Sequence, residues 1–516
     1  MTDTTPDVAG AGQPTYFSHR QIMVILGGLM TGMFLASLDQ SIVGTALPRI
    51  TSDLQGLDKL SWVVTAYLLT STAATPLWGK ISDLYGRRII FQAAIVTFLV
   101  GSLLCGFSRN IEELIAFRAL QGVGGGGLIA LALATLGDVI PPRERGRYMG
   151  YMGAVFGTSS VLGPVLGGWL ADGPGWEWIF WLNVPIGAVA LVVTSYALKL
   201  PHVRRDHVID WWGAGVLVAG VSSFLLYVSW AGPDHGWLSG GSLGLLAGSI
   251  VLTAVFIAIE LRATEPIIPM DLFRNSIFAT TNAMAVVVGI ALFGAIIFVP
   301  LYLQIVMGMS PTTSGLGMLP MVVGLFSSSI PSGSWVSRSG RYRPLPTVSM
   351  VVVFGSLLLL STLDADSAYW QVGVYMFVFG FGLGLTMQLL TVIVQNSVDV
   401  RHMGIATSTV TFFRTLGGAL GASVFGAVLN TRLAHHLGEG LGSGSAPSVN
   451  TNDTSAIQGL PEPVRSTVID AFSSSLHDVF VTALPVVAIA FGISLFIKEI
   501  PLRGRDTPVP AEATEL

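Results

Sequence analysis

Charged residues are scarce in this sequence. They make up 11% of its 516 residues, whereas hydrophobic residues make up 52% and the mean hydropathy is +0.69. Such a chain has too few polar side chains to cover one or two water-soluble domains. The net charge is -4 and the 26 basic residues are scattered between apolar runs, so the basic stripe that nucleic acid requires is missing. We therefore predict a membrane protein that binds no nucleic acid.

Cysteine and nucleotide-binding motifs are also rare or missing. Cys105 is the only cysteine and lies in an apolar run, which excludes disulfides and cysteine-based metal sites. The phosphate loop Gly-x4-Gly-Lys-Ser/Thr does not occur, so the sequence excludes ATP-driven pumping by this chain. Histidines do not cluster with carboxylates at membrane depth. We expect no metal, no cofactor and no enzymatic activity.

Long apolar runs dominate what is present. A bilayer core about 30 Å thick is crossed by about 20 helical residues, and fourteen runs near that length can be placed. We therefore predict an all-α polytopic membrane protein with fourteen transmembrane helices. The predicted spans are 22–47, 60–79, 88–107, 112–137, 147–170, 177–198, 210–231, 241–261, 277–306, 313–335, 344–363, 368–395, 403–430 and 478–498.

Basic residues are distributed unevenly over the connections between these spans. One alternating set of connections contains only Arg49, Lys59, Arg109, Arg432 and Arg465. Apart from two arginines inside spans, all other basic residues lie in the other set or near the two termini. Lys and Arg are retained on the cytoplasmic side during insertion. We therefore predict cytoplasmic termini and a multi-pass protein of the inner (plasma) membrane.

Two connections on the predicted cytoplasmic side repeat one pattern. They read Gly79-x3-Asp83-x2-Gly86-Arg87-Arg88 after span 2, and Gly333-x3-Ser337-x2-Gly340-Arg341 after span 10. Glycines permit a tight turn here, while arginines can meet helix carbonyls or acidic partners. The repeat favours two six-helix bundles related by duplication, although two unrelated basic loops would also produce it.

The repeat and the spans divide the chain into segments. We expect the linker 431–477 to be a surface loop with a short amphipathic helix around Pro463–Phe472. The predicted segments are a cytoplasmic tail 1–21, an N-terminal six-helix bundle 22–200, two extra helices with linkers 201–265, a C-terminal six-helix bundle 266–500 that includes the extracytoplasmic loop 431–477, and a cytoplasmic tail 501–516.

Four motifs in the first five spans carry a resemblance to a known family. They are LDQSIVGTALP at 38–48, GKISDLYGRR at 79–88, RALQGVGGGG at 118–127, and a glycine motif that ends at Gly168. On these motifs the chain resembles the major facilitator superfamily, in its fourteen-helix drug:proton antiporter branch. The resemblance implies the major facilitator fold, with two six-helix bundles and two inserted central helices.

The glycine motif resembles the antiporter motif of that family, G-x8-G-x3-GPxxGG. Its matching residues are Gly150, Gly163, Pro164, Gly167 and Gly168, and Ser159 replaces its second glycine. A serine is small enough to keep two helices in close contact. The resemblance implies that a bend at Pro164 closes a leak path and favours exchange over uptake. Tight packing without an effect on direction is the alternative.

Ionisable residues inside the spans are few, and each is a functional candidate because its burial in hydrocarbon is costly. Asp39 is the only acid deep in a predicted span. Arg118 enters span 4 at a similar distance from the outer surface, so the two side chains can meet. We predict that this pair couples proton binding to rocking, and the resemblance implies proton coupling for the acid of span 1. A static structural ion pair is the alternative.

The first loop of the repeat predicts a cytoplasmic latch between spans 2 and 11. Asp83 and Arg87 would form it, with Asp138 as a third partner, and Ser337 in place of the acid favours the first copy as the gate. The predicted gate residues are Gly79, Asp83, Gly86, Arg87, Arg88, Asp138 and Arg341. Arg414, Asn183 and Gln388 are polar residues within spans and are candidates for the substrate cavity.

These features predict a proton-coupled secondary exporter of the multidrug type. It would exchange protons for small amphiphilic compounds such as drugs, antibiotics or dyes, within the lipid bilayer. The alternatives are an exporter of a cell-envelope lipid or natural product, a proton-coupled nutrient importer on the same fold, and a sensor that binds substrate without transport.

Overall fold

The structure is a computed structural model, and every helix-forming run that the sequence predicts is a helix in it. It describes residues 19–54, 60–140, 142–198, 210–230, 236–264, 266–399, 402–441, 457, 460–462 and 464–502. The secondary structure of this described part is helical. We number its helices α1 His19–Asp53, α2 Leu60–Tyr85, α3 Arg87–Cys105, α4 Ile111–Val139, α5 Pro142–Asp172, α6 in two pieces (Glu177–Trp181 and Asn183–Ala197), α7 Trp211–Trp230, α8 Gly240–Glu260, α9 Ser276–Leu301 with a π-helical turn Tyr302–Val306, α10 in two pieces (Pro311–Gly317 and Leu319–Ser339), α11 Pro344–Ser361, α12 in two pieces (Tyr369–Thr386 and Leu389–Ser397), α13 Met403–Leu441 and α14 Val464–Leu495.

These helices correspond one to one with the predicted spans. Within the described residues, 12 are long and apolar enough to cross a membrane. The other two are α2, which carries Lys80 and Asp83 near its end, and α7, whose described apolar stretch is Trp212–Val228. The chain is therefore a multi-pass membrane protein. We call the end of the molecule at which α1 begins the basic end, because the connections there carry most of the 26 basic residues.

Several helices extend beyond the predicted spans. α13 runs to Leu441 and α14 begins at Val464, so the predicted short helix around Pro463–Phe472 is the first part of α14. The extension of α13 contacts the start of the last predicted span, with Arg432 Nε 3.4 Å from Asp478 Oδ2. Hydropathy marks where an apolar segment ends, whereas a helix continues as long as its backbone hydrogen bonds are satisfied.

The helices pack as two halves, one on each side of the inserted pair α7 and α8 in the sequence. In the first half, α4 packs against α2 and α3, and α1 packs against α5. In the second half, α9 packs against α13 and α12 against α10 and α11. The two halves meet along α5–α10 and along α2–α13.

Small residues bring the backbones of these helices together. A Cβ atom on Gly126 of α4 would lie 2.2 Å from the carbonyl oxygen of Ser71 in α2. A Cβ atom on Gly380 of α12 would lie 2.0 Å from the carbonyl oxygen of Met321 in α10. Since no side chain fits at such distances, both halves rely on glycine for close helix packing.

The inserted pair forms a hairpin at one side of the molecule. α8 packs on α7, and α7 packs against both α2 and α13. The hairpin therefore lies beside the α2–α13 contact, one of the two places where the halves meet. The part of the hairpin nearer the basic end packs around Leu217 and Phe256, together with Leu77 of α2.

Candidate functional site

A buried carboxylate lies at the centre of the first half. Asp39 of α1 is fully buried. Its Oδ2 accepts a hydrogen bond from Arg118 Nη1 at 2.6 Å. Its Oδ1 accepts hydrogen bonds from Gln121 Nε2 at 2.8 Å and Asn183 Nδ2 at 2.9 Å. Three donors from α4 and α6 therefore surround one acid, and both of its oxygens are satisfied.

The cation of this pair is equally well surrounded. Arg118 is 1% exposed, and its Nη1 also donates to Gln121 Oε1 at 2.7 Å. Its guanidinium carbon lies 4.3 Å from the centroid of the Tyr67 ring, a cation–π distance. Because a buried ion pair is stable only when its remaining polar atoms are satisfied, this geometry explains how two charges persist at membrane depth.

The structure thus brings together Asp39 and Arg118, as the sequence predicts, and adds two amides. Asn183 was predicted as a candidate for the substrate cavity, but its side chain instead bridges Asp39 and Ser102 Oγ, the latter at 2.9 Å. Gln121 lies three residues after Arg118, on the same face of α4. That spacing was the signal in the sequence from which Gln121 could have been found.

A second charged cluster closes the basic end at α2, α3 and α4. Arg87 Nη2 lies 2.5 Å from Asp83 Oδ1, and Arg87 Nε lies 2.6 Å from Asp138 Oδ2. Asp83 Oδ2 accepts a hydrogen bond from the backbone N–H of Ile405 at 3.1 Å. Ile405 lies in the first turn of α13, so a carboxylate faces the positive end of that helix. We call this cluster the latch.

The latch therefore joins the two halves, and its partner helix differs from the predicted one. The sequence placed it between spans 2 and 11, but the structure places it between α2 and α13. The close approach requires glycine on both sides, because a Cβ on Gly79 would lie 2.2 Å from Ser408 Oγ and one on Gly404 would lie 2.2 Å from Asp83 Oδ1.

The other predicted gate residues have different positions. Gly86 precedes α3 with φ 94°, which only glycine adopts without strain. Arg88 is half-buried, and Arg341 is exposed in the second copy of the repeat. Arg341 thus lies at the surface, whereas Arg87 is buried and forms two ion pairs.

A second buried tie between the halves was not predicted. Arg145 of α5 is 3% exposed and its Nη1 donates to Gln395 Oε1 of α12 at 3.1 Å. Its Nη2 donates to the carbonyl oxygen of Gly137. Gln395 Nε2 in turn donates to the carbonyl oxygen of Leu133 at 3.0 Å and to Thr407 Oγ1 at 2.9 Å. In the sequence Arg145 is one of the basic residues of the connection before span 5, and nothing there indicates that its side chain is buried.

The antiporter motif lies along α5 and faces two helices. A Cβ on Gly163 would lie 2.1 Å from Ser41 Oγ of α1, and one on Gly150 would lie 2.8 Å from Ile330 Cγ1 of α10. Ser159 is buried, and its carbonyl oxygen accepts a hydrogen bond from Ser41 Oγ at 2.8 Å. The serine that departs from the motif thus keeps the helices close. Gly167 is buried and Gly168 half-buried, while the side chain of Pro164 lies outside the described residues.

The second half holds polar groups of a different kind. Arg414 of α13 is 6% exposed, and its Nη1 has no hydrogen-bond partner among the described residues. Gln388 lies at the break in α12 and is 4% exposed, with both amide atoms likewise unpartnered in the described part of the chain. Its Cγ lies 3.9 Å from where a Cβ of Gly153 in α5 would be. Gln388 therefore faces the first half.

Comparison with known proteins agrees with this architecture. A sequence model described as Major Facilitator Superfamily matches residues 29–422. The uncharacterized MFS-type transporter Rv1877 of Mycobacterium tuberculosis is 39% identical over 97% of this chain and 72% of its own length. The multidrug transporter protein MdtP of Bacillus subtilis is 37% identical over 93% of this chain and 94% of its own length.

A solved structure supports the same fold. The human organic anion transporter MFSD10 (TETRAN) superposes with a TM-score of 0.60 at 15% sequence identity, over 92% of this chain and 100% of the other. The family match, which covers most of the chain, and the two relatives show that this protein is a transporter, not an enzyme, and that it belongs to the Major Facilitator Superfamily.

Proposed function

We propose that the protein exports small amphiphilic compounds in exchange for protons. The observation that carries this proposal is the buried pair of Asp39 and Arg118, which places a carboxylate at membrane depth. The multidrug function named for the relative MdtP supports the same class of substrate. The alternative functions are export of a cell-envelope lipid or natural product, and nutrient import on the same fold.

Protonation of Asp39 would change the forces on α4. A neutral carboxyl group no longer attracts Arg118, and it donates through the oxygen on which the proton resides. The protonated oxygen is a weaker acceptor, so at least one of the three hydrogen bonds from Arg118, Gln121 and Asn183 is weakened. The two protonation states therefore favour different positions of α4 relative to α1 and α6.

α4 also reaches the contacts that close the basic end. Asp138 of the latch lies 20 residues after Arg118, about 30 Å along the helix. The carbonyl oxygens of Leu133 and Gly137, on the same helix, accept hydrogen bonds from the Arg145–Gln395 tie. A shift of α4 caused by proton binding at one end would strain both ties at the other, and so link protonation to opening.

We infer that the basic end faces the cytoplasm of the cell, because basic residues are retained there during insertion. The conformation would then be one in which the cytoplasmic side is closed by the latch and the Arg145–Gln395 tie. Substrate would contact the second half, where Arg414 and Gln388 offer polar atoms without partners among the described residues. Such groups fix the orientation of a ligand whose remaining surface is apolar.

The test is export of a dye panel from cells that express Asp39→Asn, Asp39→Glu or Asp366→Asn. Asp366 is an exposed acid in the α11–α12 connection, so its variant is the matched control. We expect wild type, Asp366→Asn and, at a lower rate, Asp39→Glu to lower the cellular dye content until a protonophore is added. Asp39→Asn should not respond to the proton gradient, although inserted at the same level.

Inverted vesicles distinguish the remaining functions. For an exchanger, addition of dye to vesicles with an acidic interior should release protons in wild type and in Asp366→Asn but not in Asp39→Asn. Proton-dependent movement of substrate in the opposite direction would identify an importer. Proton-coupled export that persists in Asp39→Asn would disprove the role of this carboxylate.

A further inference from the structure

A cavity of about 340 Å³ lies between the inserted hairpin and the second half. α7, α8 and α13 each contribute one wall, and Thr253 is the polar exception among apolar and aromatic side chains. The lining residues that matter here are Leu217, Val221, Phe256, Phe413 and Leu416. Its volume lies in the range of sites that hold small ligands, about 300 to 1,000 Å³.

The depth of the cavity indicates the medium beside it. Leu217 lies 6 residues after the start of α7 and Leu416 lies 13 residues after the start of α13, which is about 9 and 20 Å from the basic end. Both helices begin at that end. The cavity therefore extends from the half of the bilayer next to the basic end to about the middle of the bilayer, where the surrounding molecules are acyl chains.

Basic residues lie at the same end of the cavity. The turn Met270–Arg274 contributes Met270 and Phe273 to the lining, and the Arg274 side chain that follows is 86% exposed. Arg262 is exposed just beyond α8, and Trp212 is 83% exposed at the start of α7. Asp271 lies 3.2 Å from Arg274, but such an exposed pair is weak.

We propose that this cavity binds one acyl chain of an anionic phospholipid, whose phosphate is held by Arg262 and Arg274. Basic residues beside an apolar slot between membrane helices suit an anionic headgroup, and an exposed tryptophan suits the interface. The bound chain fills the space between the hairpin and α13. It lets α13 move at the latch while α7 remains packed on α2, whatever the transported substrate is.

The protein is purified from membranes that contain phosphatidylglycerol and phosphatidylcholine of equal chain length. Native mass spectrometry then measures how much of each lipid remains bound to it. Val221→Trp and Thr253→Phe fill the cavity from two helices. Val251→Trp is the control, because Val251 is 60% exposed on α8 and outside the cavity. We expect the filled variants to lose the retained lipid about tenfold and the control to behave like wild type.

The headgroup is tested separately. The double variant Arg262→Glu/Arg274→Glu should lose a preference for phosphatidylglycerol of about tenfold and still retain phosphatidylcholine, whereas Arg341→Glu on another loop should leave the preference unchanged. Benzoylphenylalanine at Phe413 should form an adduct with the mass of phosphatidylglycerol. Equal retention in the filled variants and the control, no headgroup preference in wild type, or adducts with added dye alone would each overturn the proposal.

Discussion

The buried arginines of the two halves of the transporter have different surroundings. In the first half, Arg118 and Asp39 neutralise each other and the surrounding amides satisfy their remaining atoms. In the second half, Arg414 and Gln388 are also buried but have side-chain atoms without partners among the described residues. An ion pair whose atoms all have hydrogen-bond partners can change its charge state only by breaking contacts. A ligand that supplies a hydrogen-bond partner to a buried group without one lowers the free energy of the complex. The difference is what the proposed function requires, in which the first half binds the proton and the second half binds substrate.

The repeated loops show the same contrast. Gly86 and Gly340 both have positive φ, 94° and 71°, but ψ is 142° at Gly86 and 0° at Gly340, so the two copies share the glycine and differ in the turn. Asp83 gives the first copy a buried carboxylate for the latch. Ser337 gives the second copy a neutral hydroxyl, which donates to the carbonyl oxygen of Gly333 one turn earlier in its own helix. The two copies thus keep a glycine with positive φ at the same position, and only the first copy carries a carboxylate.

The largest effect should follow from removing the cation of the first half. Arg118→Met leaves a buried carboxylate that keeps only neutral donors, and loss of one partner of a buried ion pair costs about 3 to 5 kcal/mol. We expect a marked fall in the unfolding temperature of the purified protein, followed through tryptophan fluorescence, and loss of proton-driven export.

The charge itself is tested by a rescue. In the double variant Asp39→Asn/Arg118→Met the unpaired charge is gone, so the unfolding temperature should recover most of the loss while export stays defective. Arg109→Met, an exposed residue before α4, is the control. If Arg118→Met exports in a proton-dependent way at the wild-type rate, the ion pair is a static structural contact.

An intermediate effect is expected at the two loop copies. Arg87→Ala removes the ion pairs with Asp83 and Asp138. Asp83, which accepts the hydrogen bond from Ile405, is then no longer held in place by an arginine. Hydrogen–deuterium exchange in the first turn of α13 should therefore become about tenfold faster, equivalent to about 1.4 kcal/mol. The matched variant Arg341→Ala removes an exposed side chain and should leave exchange at α13 unchanged.

Equal exchange in the two loop variants would mean that α13 is held by packing alone. Gly404 and Gly79 would then carry the contact, and Gly79→Ala should accelerate exchange instead. Faster exchange with Arg87→Ala but unchanged transport would place the latch outside the rate-limiting step.

The sequence contains enough information for the spans and for the pair Asp39–Arg118, because ionisable groups in apolar runs are few and their depth follows from helix rise. It does not show which helix a loop meets, since that depends on how the halves dock. The contact of Asp83 with α13 and the burial of Arg145 against Gln395 are results of docking. The sequence favours a cavity position for Asn183 for the same reason, because a polar residue in a predicted span does not reveal which side chain it contacts.

The smallest effect on stability should come from the cation of the second half. Arg414→Met removes a buried charge that no acid among the described residues neutralises, so the unfolding temperature should stay the same or rise, in contrast to Arg118→Met. The loss should appear in binding, because a hydrogen bond from a charged donor contributes about 1.5 to 3 kcal/mol. We expect at least about tenfold weaker binding of an acidic or carbonyl-bearing amphiphile in a dye-displacement titration, with little change for a purely cationic dye.

Gln388→Met, which removes a neutral amide without partners in the described part of the chain, should lower the affinity for ligand less than Arg414→Met does, irrespective of ligand charge. If Arg414→Met destabilises the protein as strongly as Arg118→Met, the second half contains a hidden charge pair and the division of roles between the halves is wrong.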